Sequence, residues 1–320
     1  MPLPIPFIDA DELQERLPWR LAVDALESAL PHAFAGTGFA PRSRLGAPGG
    51  ELLLMPAASS SAVGVKLVGL GHSNASRGLA SISSVYVLFD ADTIRPIAIV
   101  DGTRLTEIRT AAQSAMVVRC LAQPDASRLV VFGAGPQALA HARAIASVRP
   151  IVDIAIVARR VEAVNSACQR LQREGLDARP ATDTDVARAQ VVVCATSAQQ
   201  PILFGRDLAE GVLVVAVGSH TAGAREVDDD AMARADLIVV EDRDTAMREA
   251  GDVIQAVTSG VVSLERIRDF SDLVGGTLRP SSGITVYKSV GMGYQDLAVV
   301  EMGLRDVIQN AALESAGTGQ

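Results

Sequence analysis

The chain has 320 residues, 48% of them hydrophobic and 21% charged, with a net charge of −8 and no basic cluster. That balance predicts a packed globular protein, two domains or one large one by length, and argues against nucleic acid and an anionic membrane surface as partners. Aromatic residues are only 3% of the chain, so the interior must be built from Ala, Val, Leu and Ile. Cys120, Cys168 and Cys194 are scattered, with no CxxC and no neighbouring histidine. They read as reduced thiols and imply neither a disulfide framework nor a metal site.

The opening stretch MPLPIPFIDADELQERL lacks a basic n-region and carries acids early, unlike a signal peptide. No apolar run approaches the ~20 residues of a membrane helix. The expectation is a soluble, cytoplasmic protein. Residues 19–34 have helical spacing. The runs 51–57, 62–70, 81–90 and 95–100 read as strands joined by short turns, which favours an antiparallel or mixed sheet. A helix over 106–122 bridges into the rest of the chain.

From residue 128 onward the pattern changes. Continuous apolar runs at 128–135, 153–160, 189–196, 211–219, 235–242 and 284–291 alternate with amphipathic stretches, including helices over 136–148 and 161–174. Strands that are apolar on both faces need helices on both sides, the condition of a parallel sheet. The expected fold class is α/β, a doubly wound Rossmann-type parallel sheet with a second α+β domain. The boundary falls near residue 110, and 294–313 reads as a final helix whose domain is left open.

Gly133, Gly135 and Ala138 form a G-x-G-x-x-A turn between a strand and a helix that opens with Pro136. The first glycine permits the tight turn, the second lets the backbone approach a pyrophosphate, and the helix N-terminus offers amides to it. Asp153 has the sequence offset of an NAD-ribose acid but starts its strand rather than ending it. The binding end carries Ala158, Arg159 and Arg160. Two arginines and no acid suit a 2′-phosphate, which predicts NADP(H) in preference to NAD(H), with NAD(H) as the alternative.

Of 29 lysines and arginines only two, Lys66 and Lys288, are lysines. Lys66 lies in VGVKLVGLG, where strand alternation puts it on one face with Gly64 and Val68, and Val65 and Leu67 on the other. An ammonium among such neighbours is costly unless it is paired or meets an anionic ligand; a strand-edge lysine reaching water is the other reading. Arg109, expected at the start of the bridging helix, and Arg42 and Arg44, expected ahead of a strand, could converge with it. Such a set of cations would clamp a carboxylate.

MPA at 55–57, VKLVGLGHSN at 65–74, DGTRLTEIRTAAQSA at 101–115, GAGPQA at 133–138, AVGSHTAGAREVDDD at 216–230 and YKSVGMGYQDLA at 287–298 occur in one order along nearly the whole chain. Together they resemble the ornithine cyclodeaminase/mu-crystallin family. The resemblance implies a homodimer. Residues 1–110, completed by the C-terminal helix 292–320, would bind substrate and dimerise, and 111–291 would hold the nicotinamide cofactor. It implies a small amino- or imino-acid substrate, its carboxylate held by Arg42, Lys66 and Arg109, with Lys66 also near the reacting carbon and nitrogen. The implied cofactor contacts are Thr110, Gly133, Ala134, Gly135, Pro136, Gln137, Arg159, Thr196, Gly218, Ser219 and Ser289.

Two positions depart from the ornithine cyclodeaminases within that family. Leu53 stands where they carry the acid that receives the distal amine, and His220 where they carry a general-base aspartate. An ammonium against leucine would cost several kcal/mol, whereas His220 could shuttle a proton near neutral pH. The expected activity is therefore reduction of a cyclic ketimine such as pyrroline-2-carboxylate to an L-amino acid, with Lys66 or His220 keeping the nitrogen protonated. An ornithine cyclodeaminase and a non-catalytic, cofactor-bound crystallin-like protein are the alternatives.

Overall fold

The computed structural model describes residues 5–34 and 40–317. The chain separates into two units, residues 1–110 with 292–320, and residues 111–291. Among the described residues no helix is long and apolar enough to cross a membrane, and no group of His, Cys, Asp and Glu could hold a metal ion.

The first unit opens with β1 (Phe7–Ile8) and α1 (Ala10–Arg16). Asp9 caps α1, its carboxylate accepting from the Asp11 and Glu12 amides. Then follow α2 (Trp19–Phe34), β2 (Ser43–Ala47), β3 (Gly50–Ala58), β4 (Ala62–Gly71), β5 (Ile82–Asp90) and β6 (Pro96–Asp101). Their sheet runs β1-β6-β5-β4-β3-β2. It is mixed, since β1 pairs with β6 in parallel and the other neighbours are antiparallel. β2 carries no apolar alternation because every residue of this edge strand is exposed. Arg44 consequently lies inside a strand rather than ahead of one, ion-paired with Glu51 at 3.0 Å.

α3 (Gly102–Leu121) begins four residues before the expected 106. Arg109 therefore sits about two turns inside the helix and not at its start, a correction with consequences for what it touches.

The second unit adds β7 (Arg128–Phe132), α4 (Pro136–Ala146), β8 (Asp153–Val157), α5 (Val161–Arg173), β9 (Ala178–Pro180), β10 (Val191–Cys194) and β11 (Leu213–Ala216). It continues with α6 (Asp229–Arg234), β12 (Ala235–Val240), α7 (Arg243–Glu249), α8 (Gly251–Thr258), β13 (Ile267–Arg268), α9 (Phe270–Val274) and β14 (Ile284–Lys288). The eight strands run β13-β12-β14-β11-β10-β7-β8-β9 and every pair is parallel. The chain winds outward from β7 in both directions, so the switch point of the sheet lies between β7 and β10, where such sheets bind ligands at their carboxyl ends.

The chain then returns to the first unit through α10 (Gly293–Gly303) and α11 (Arg305–Gly317). The single helix expected over 294–313 is thus two, broken at Leu304, whose ψ of 28 leaves the helical path. α10 is apolar nearly all round because it is buried all round, with Leu297, Val299 and Val300 in the core. Gly293 lets it begin hard against β3: a Cβ there would stand 2.6 Å from the Pro56 carbonyl oxygen.

Candidate active site

In the first unit the buried face of the sheet carries Leu53, Met55, Val68, Tyr86 and Leu88, with one charge in the middle. That charge is Lys66, directly opposite Met55 on one side and Tyr86 on the other. Its side chain is 1% exposed, so it does not reach for water as a strand-edge lysine would. Instead Nζ donates to Oδ1 of Asp296, fully buried in the first turn of α10, at 2.8 Å. Arg109 Nε lies 3.3 Å from the same oxygen, and Arg109 Nη1 donates to Gln295 Oε1 at 2.8 Å. Gln295 Oε1 also accepts from the Met292 amide at 3.2 Å, which fixes that side chain at the helix start.

Burial is the main force pushing the Lys66 ammonium down to about 7; the neighbouring Arg109 charge adds to it, Asp296 opposes it, and Arg42 contributes a weaker repulsion. A lysine near 7 can hold or release a proton at neutral pH. Arg42, half-buried just ahead of β2, is therefore close enough to be felt at Lys66. Leu53 and Val68 face each other across β3 and β4 and cluster with Met55, giving the lysine a hydrocarbon flank.

In the second unit, Val157, Phe132, Cys194, Ala216 and Lys288 form one row across the ends of β8, β7, β10, β11 and β14. Gly133–Gln137, Arg159, Thr196, Gly218, Ser219 and Ser289 all lie within a few residues beyond that row, so the sheet brings them to one edge. Gly133 has φ +126, and a Cβ there would strike the Ala195 carbonyl oxygen at 2.6 Å; only glycine turns the chain here. Around Gly135 a Cβ would meet nothing within 4 Å. Gly135 caps α4 with no side-chain bond, and Pro136 follows at the first position. Orphan amides beside open space make a cradle that fits a pyrophosphate. Asp153 starts β8, away from this edge, and binds Arg179 at 2.7 Å. Arg159 and Arg160 follow β8, exposed and outside any ion pair among the described residues.

Several of these residues have protein partners of their own. Glu226, fully buried, accepts from the Thr196 amide at 2.8 Å, the Thr196 hydroxyl at 2.7 Å and the Gly218 amide at 2.6 Å. Ser219 Oγ donates to Asp252 Oδ2 at 2.6 Å and accepts from Lys288 Nζ at 2.8 Å. Ser289 Oγ donates to Glu241, which also receives the Gly291 amide at 3.1 Å. Glu226, Asp252, Glu241 and Lys288 thus brace the edge; from sequence Glu226 reads as part of an acidic helix N-terminus, or as an acid for a distal amine, but it precedes α6 and is taken up by Thr196 and Gly218. Lys288 carried a signal only as the second of two lysines. His220 is exposed in the loop after β11. Thr110, half-buried on α3, is the last residue of the first unit's leading segment.

A parallel sheet with a glycine turn at its switch point, joined to a mixed sheet that buries a lysine, an arginine and an aspartate, defines a two-unit α/β protein built for a dinucleotide. The comparisons sharpen that class. The chain belongs to the ornithine cyclodeaminase/mu-crystallin family, whose profile matches residues 9–311. It is 34% identical over 305 residues to the Delta(1)-pyrroline-2-carboxylate reductase of Paracoccus denitrificans (strain Pd 1222), covering 92% of this chain and 94% of that one. Among solved structures it is similar to Thermococcus litoralis Delta(1)-pyrroline-2-carboxylate reductase in complex with NADH and L-proline, with TM-score 0.88 and 24% identity over 96% of this chain and 98% of that one. An archaeal alanine dehydrogenase dimer with bound NAD matches with TM-score 0.87 and 25% identity, covering 97% of each chain.

Proposed function

We propose that the protein is a nicotinamide-dependent reductase that converts a cyclic ketimino acid, such as Δ1-pyrroline-2-carboxylate, to the corresponding L-amino acid, with NADP(H) preferred over NAD(H). One observation carries the reading. The buried Lys66–Arg109 pair is flanked on the same sheet face by Leu53, Met55 and Val68. Cations beside hydrocarbon suit a carboxylate attached to an apolar ring. A cyclodeaminase needs a carboxylate for a second ammonium, but Leu53 occupies that position and Asp296 is held by Lys66. The substrate named for the 34% identical Paracoccus protein is the same ketimine.

The nicotinamide supplies the hydride. Arg109, Arg42 and Lys66 hold the carboxylate, which fixes the C=N carbon and removes the entropy of the encounter. Lys66 passes a proton to the imine nitrogen; as the hydride adds to carbon, the π electron pair of C=N moves onto that nitrogen, and the neutral lysine regains its proton from solvent. The fixed positive field around Lys66 and Arg109 acts where the electron pair accumulates. His220 is the alternative route for the proton. Gly133–Gln137 would take the pyrophosphate, and Arg159 the 2′-phosphate.

A homodimer accords with this reading. The second face of the first unit's sheet shows Leu52, Leu54, Val63, Val65, Leu67, Val85 and Val87, all half-buried in the single chain. Such an apolar face suits self-association.

The test is nicotinamide absorbance with purified protein, NADPH and Δ1-pyrroline-2-carboxylate. Rapid oxidation, slower with NADH, is the expected result. Failure to oxidise, with ammonia released from L-ornithine in the presence of NAD, would establish the cyclodeaminase instead; tight dinucleotide binding without either turnover would establish the crystallin-like protein.

A further inference from the structure

Asp296 has no exposure, yet it is a carboxylate set against two cations. Oδ1 accepts from Lys66 Nζ at 2.8 Å and lies 3.3 Å from Arg109 Nε, while the buried Oδ2 makes no hydrogen bond with any described residue. Tyr86 Oη, on the strand position beside Lys66, is likewise buried and without a hydrogen-bond partner. Two polar atoms left over next to a paired lysine and arginine mark a place designed for more than internal pairing, since buried polar groups are normally satisfied. The carboxylate also sits in the first turn of α10, where the helix dipole favours negative charge.

We propose that Asp296 is the positioning residue of the substrate site: it aims the Lys66 ammonium through Oδ1 and supplies the negative charge against which Lys66 carries its proton for the substrate nitrogen. This rests on the reductase reading and gives that reading its proton control. The groups facing Lys66 are Arg109 on α3, Asp296 on α10, Arg42 ahead of β2 and Tyr86 on β5. Lys66 and Arg109 share the single carboxylate of Asp296, and a substrate carboxylate brings a second anion. That second anion stabilises the protonated lysine. Substrate binding therefore draws a proton onto Lys66, and the acid is loaded only when there is an imine to receive it. The proton then moves from Nζ to the imine nitrogen, the hydride that a bound reduced nicotinamide would supply adds to carbon as the C=N electron pair moves onto nitrogen, and neutral Lys66 regains its proton from solvent.

Because Lys66 and Lys288 are the only lysines, protein grown with 13Cε-lysine gives two side-chain signals, assigned by Lys288→Arg. The experiment follows the Lys66 signal against pH in wild type and in Asp296→Asn, with and without L-proline, alongside the pH profile of kcat. In wild type the midpoint should lie near 7 and rise when L-proline binds. In Asp296→Asn it should fall by a pH unit or more, and kcat should decline from a correspondingly lower pH while the KM for NADPH stays unchanged. A midpoint that is the same in Asp296→Asn, or that ignores L-proline, overturns the proposal. If Asp296→Asn does not fold, Asp296→Glu decides: the charge is kept and displaced by one methylene, so the midpoint should stay near 7 while kcat drops at least about tenfold; a wild-type kcat overturns it. Should wild type fail to reduce the ketimine, the reductase reading falls, and the Lys66 titration still reports separately whether Asp296 governs the lysine.

Discussion

Lys288 Nζ lies 3.1 Å from Asp252 Oδ2, and neither side chain reaches solvent. Asp252 Oδ1 accepts from the Glu226 and Val227 amides, and Lys288 donates to the Ser219 carbonyl and hydroxyl. The pair therefore ties the end of β14 to α8 and to the loop that carries Ser219 and His220. Removing one partner strands the other in a dry interior, so Lys288→Met should cost about 3–5 kcal/mol. The urea midpoint of the second unit's transition reads this; a loss below about 1 kcal/mol would show that Asp252 finds water once the lysine is gone.

Lys66→Met should lower kcat with Δ1-pyrroline-2-carboxylate by about 100-fold or more while leaving NADPH binding intact, as followed by the fluorescence of the bound dinucleotide. The substituted side chain keeps the length of the strand position and its contacts with Met55 and Tyr86, but it has neither charge nor proton. A variant that still turns over at the wild-type rate would remove Lys66 from the site.

The parallel sheet was legible in the sequence because its strands are apolar on both faces and end in Gly133, Thr196 or Gly218. Alternation in β4 sorted Lys66 onto one face with Gly64 and Val68, but with apolar residues on both faces it did not show which face is buried. β2 was not legible, since an exposed edge strand has no apolar pattern to read, and neither was the break at Leu304, since no proline marks the end of α10. The partners of the site escaped for a different reason. Asp296 lies 230 residues from Lys66, and Asp252 and Glu226 reach Lys288 through the fold alone. Composition shows that a lone lysine among apolar residues needs an anion, but not which aspartate supplies it.

His141 on α4 is fully buried, and burial pulls it down to about 4 from its usual 6.5. Nδ1 faces the Gln137 carbonyl at 2.7 Å and so must donate, leaving Nε2 to accept from the Ser114 hydroxyl at 2.9 Å. The neutral ring is thus wired into the helix that opens the glycine turn. Between about 6.5 and about 4 the unfolded chain binds a proton here and the folded chain does not, so this histidine makes stability fall as pH falls through that window and level off below it. From pH 7 to pH 5 the contribution is about 2 kcal/mol. His141→Gln should lose less stability than wild type over the same interval by about that amount in urea titrations at the two pH values. Parallel losses would mean that the ring titrates in the folded protein as it does in the unfolded chain.

The outward face of the first unit's sheet predicts its own assembly. Val65 and Leu67 lie at its centre, half-buried in the single chain and next to Val85 and Val87 across β5. Val65→Lys with Leu67→Lys places two charges on that face without touching Lys66, which points the other way. Light scattering should show a dimer for wild type and a monomer for the double variant; a wild-type monomer at micromolar concentration, or an undisturbed dimer in the variant, would put self-association elsewhere or nowhere.

The proposed preference for NADP(H) rests on Arg159. It is exposed just past the end of β8, with Arg160 beside it and no carboxylate at that strand's binding end, since Asp153 starts the strand and is taken by Arg179. A guanidinium on a 2′-phosphate gives a charged hydrogen bond worth about 1.5–3 kcal/mol, and exposure puts Arg159 at the lower end of that range. Arg159→Ala should therefore reduce kcat/KM with NADPH by about tenfold and leave NADH nearly unchanged. The ratio of the two measured on one preparation cancels any loss of folded protein. If both fall together, Arg159 supports the loop after β8; if neither moves, the 2′-phosphate is read by another group and the preference drawn from these arginines is void.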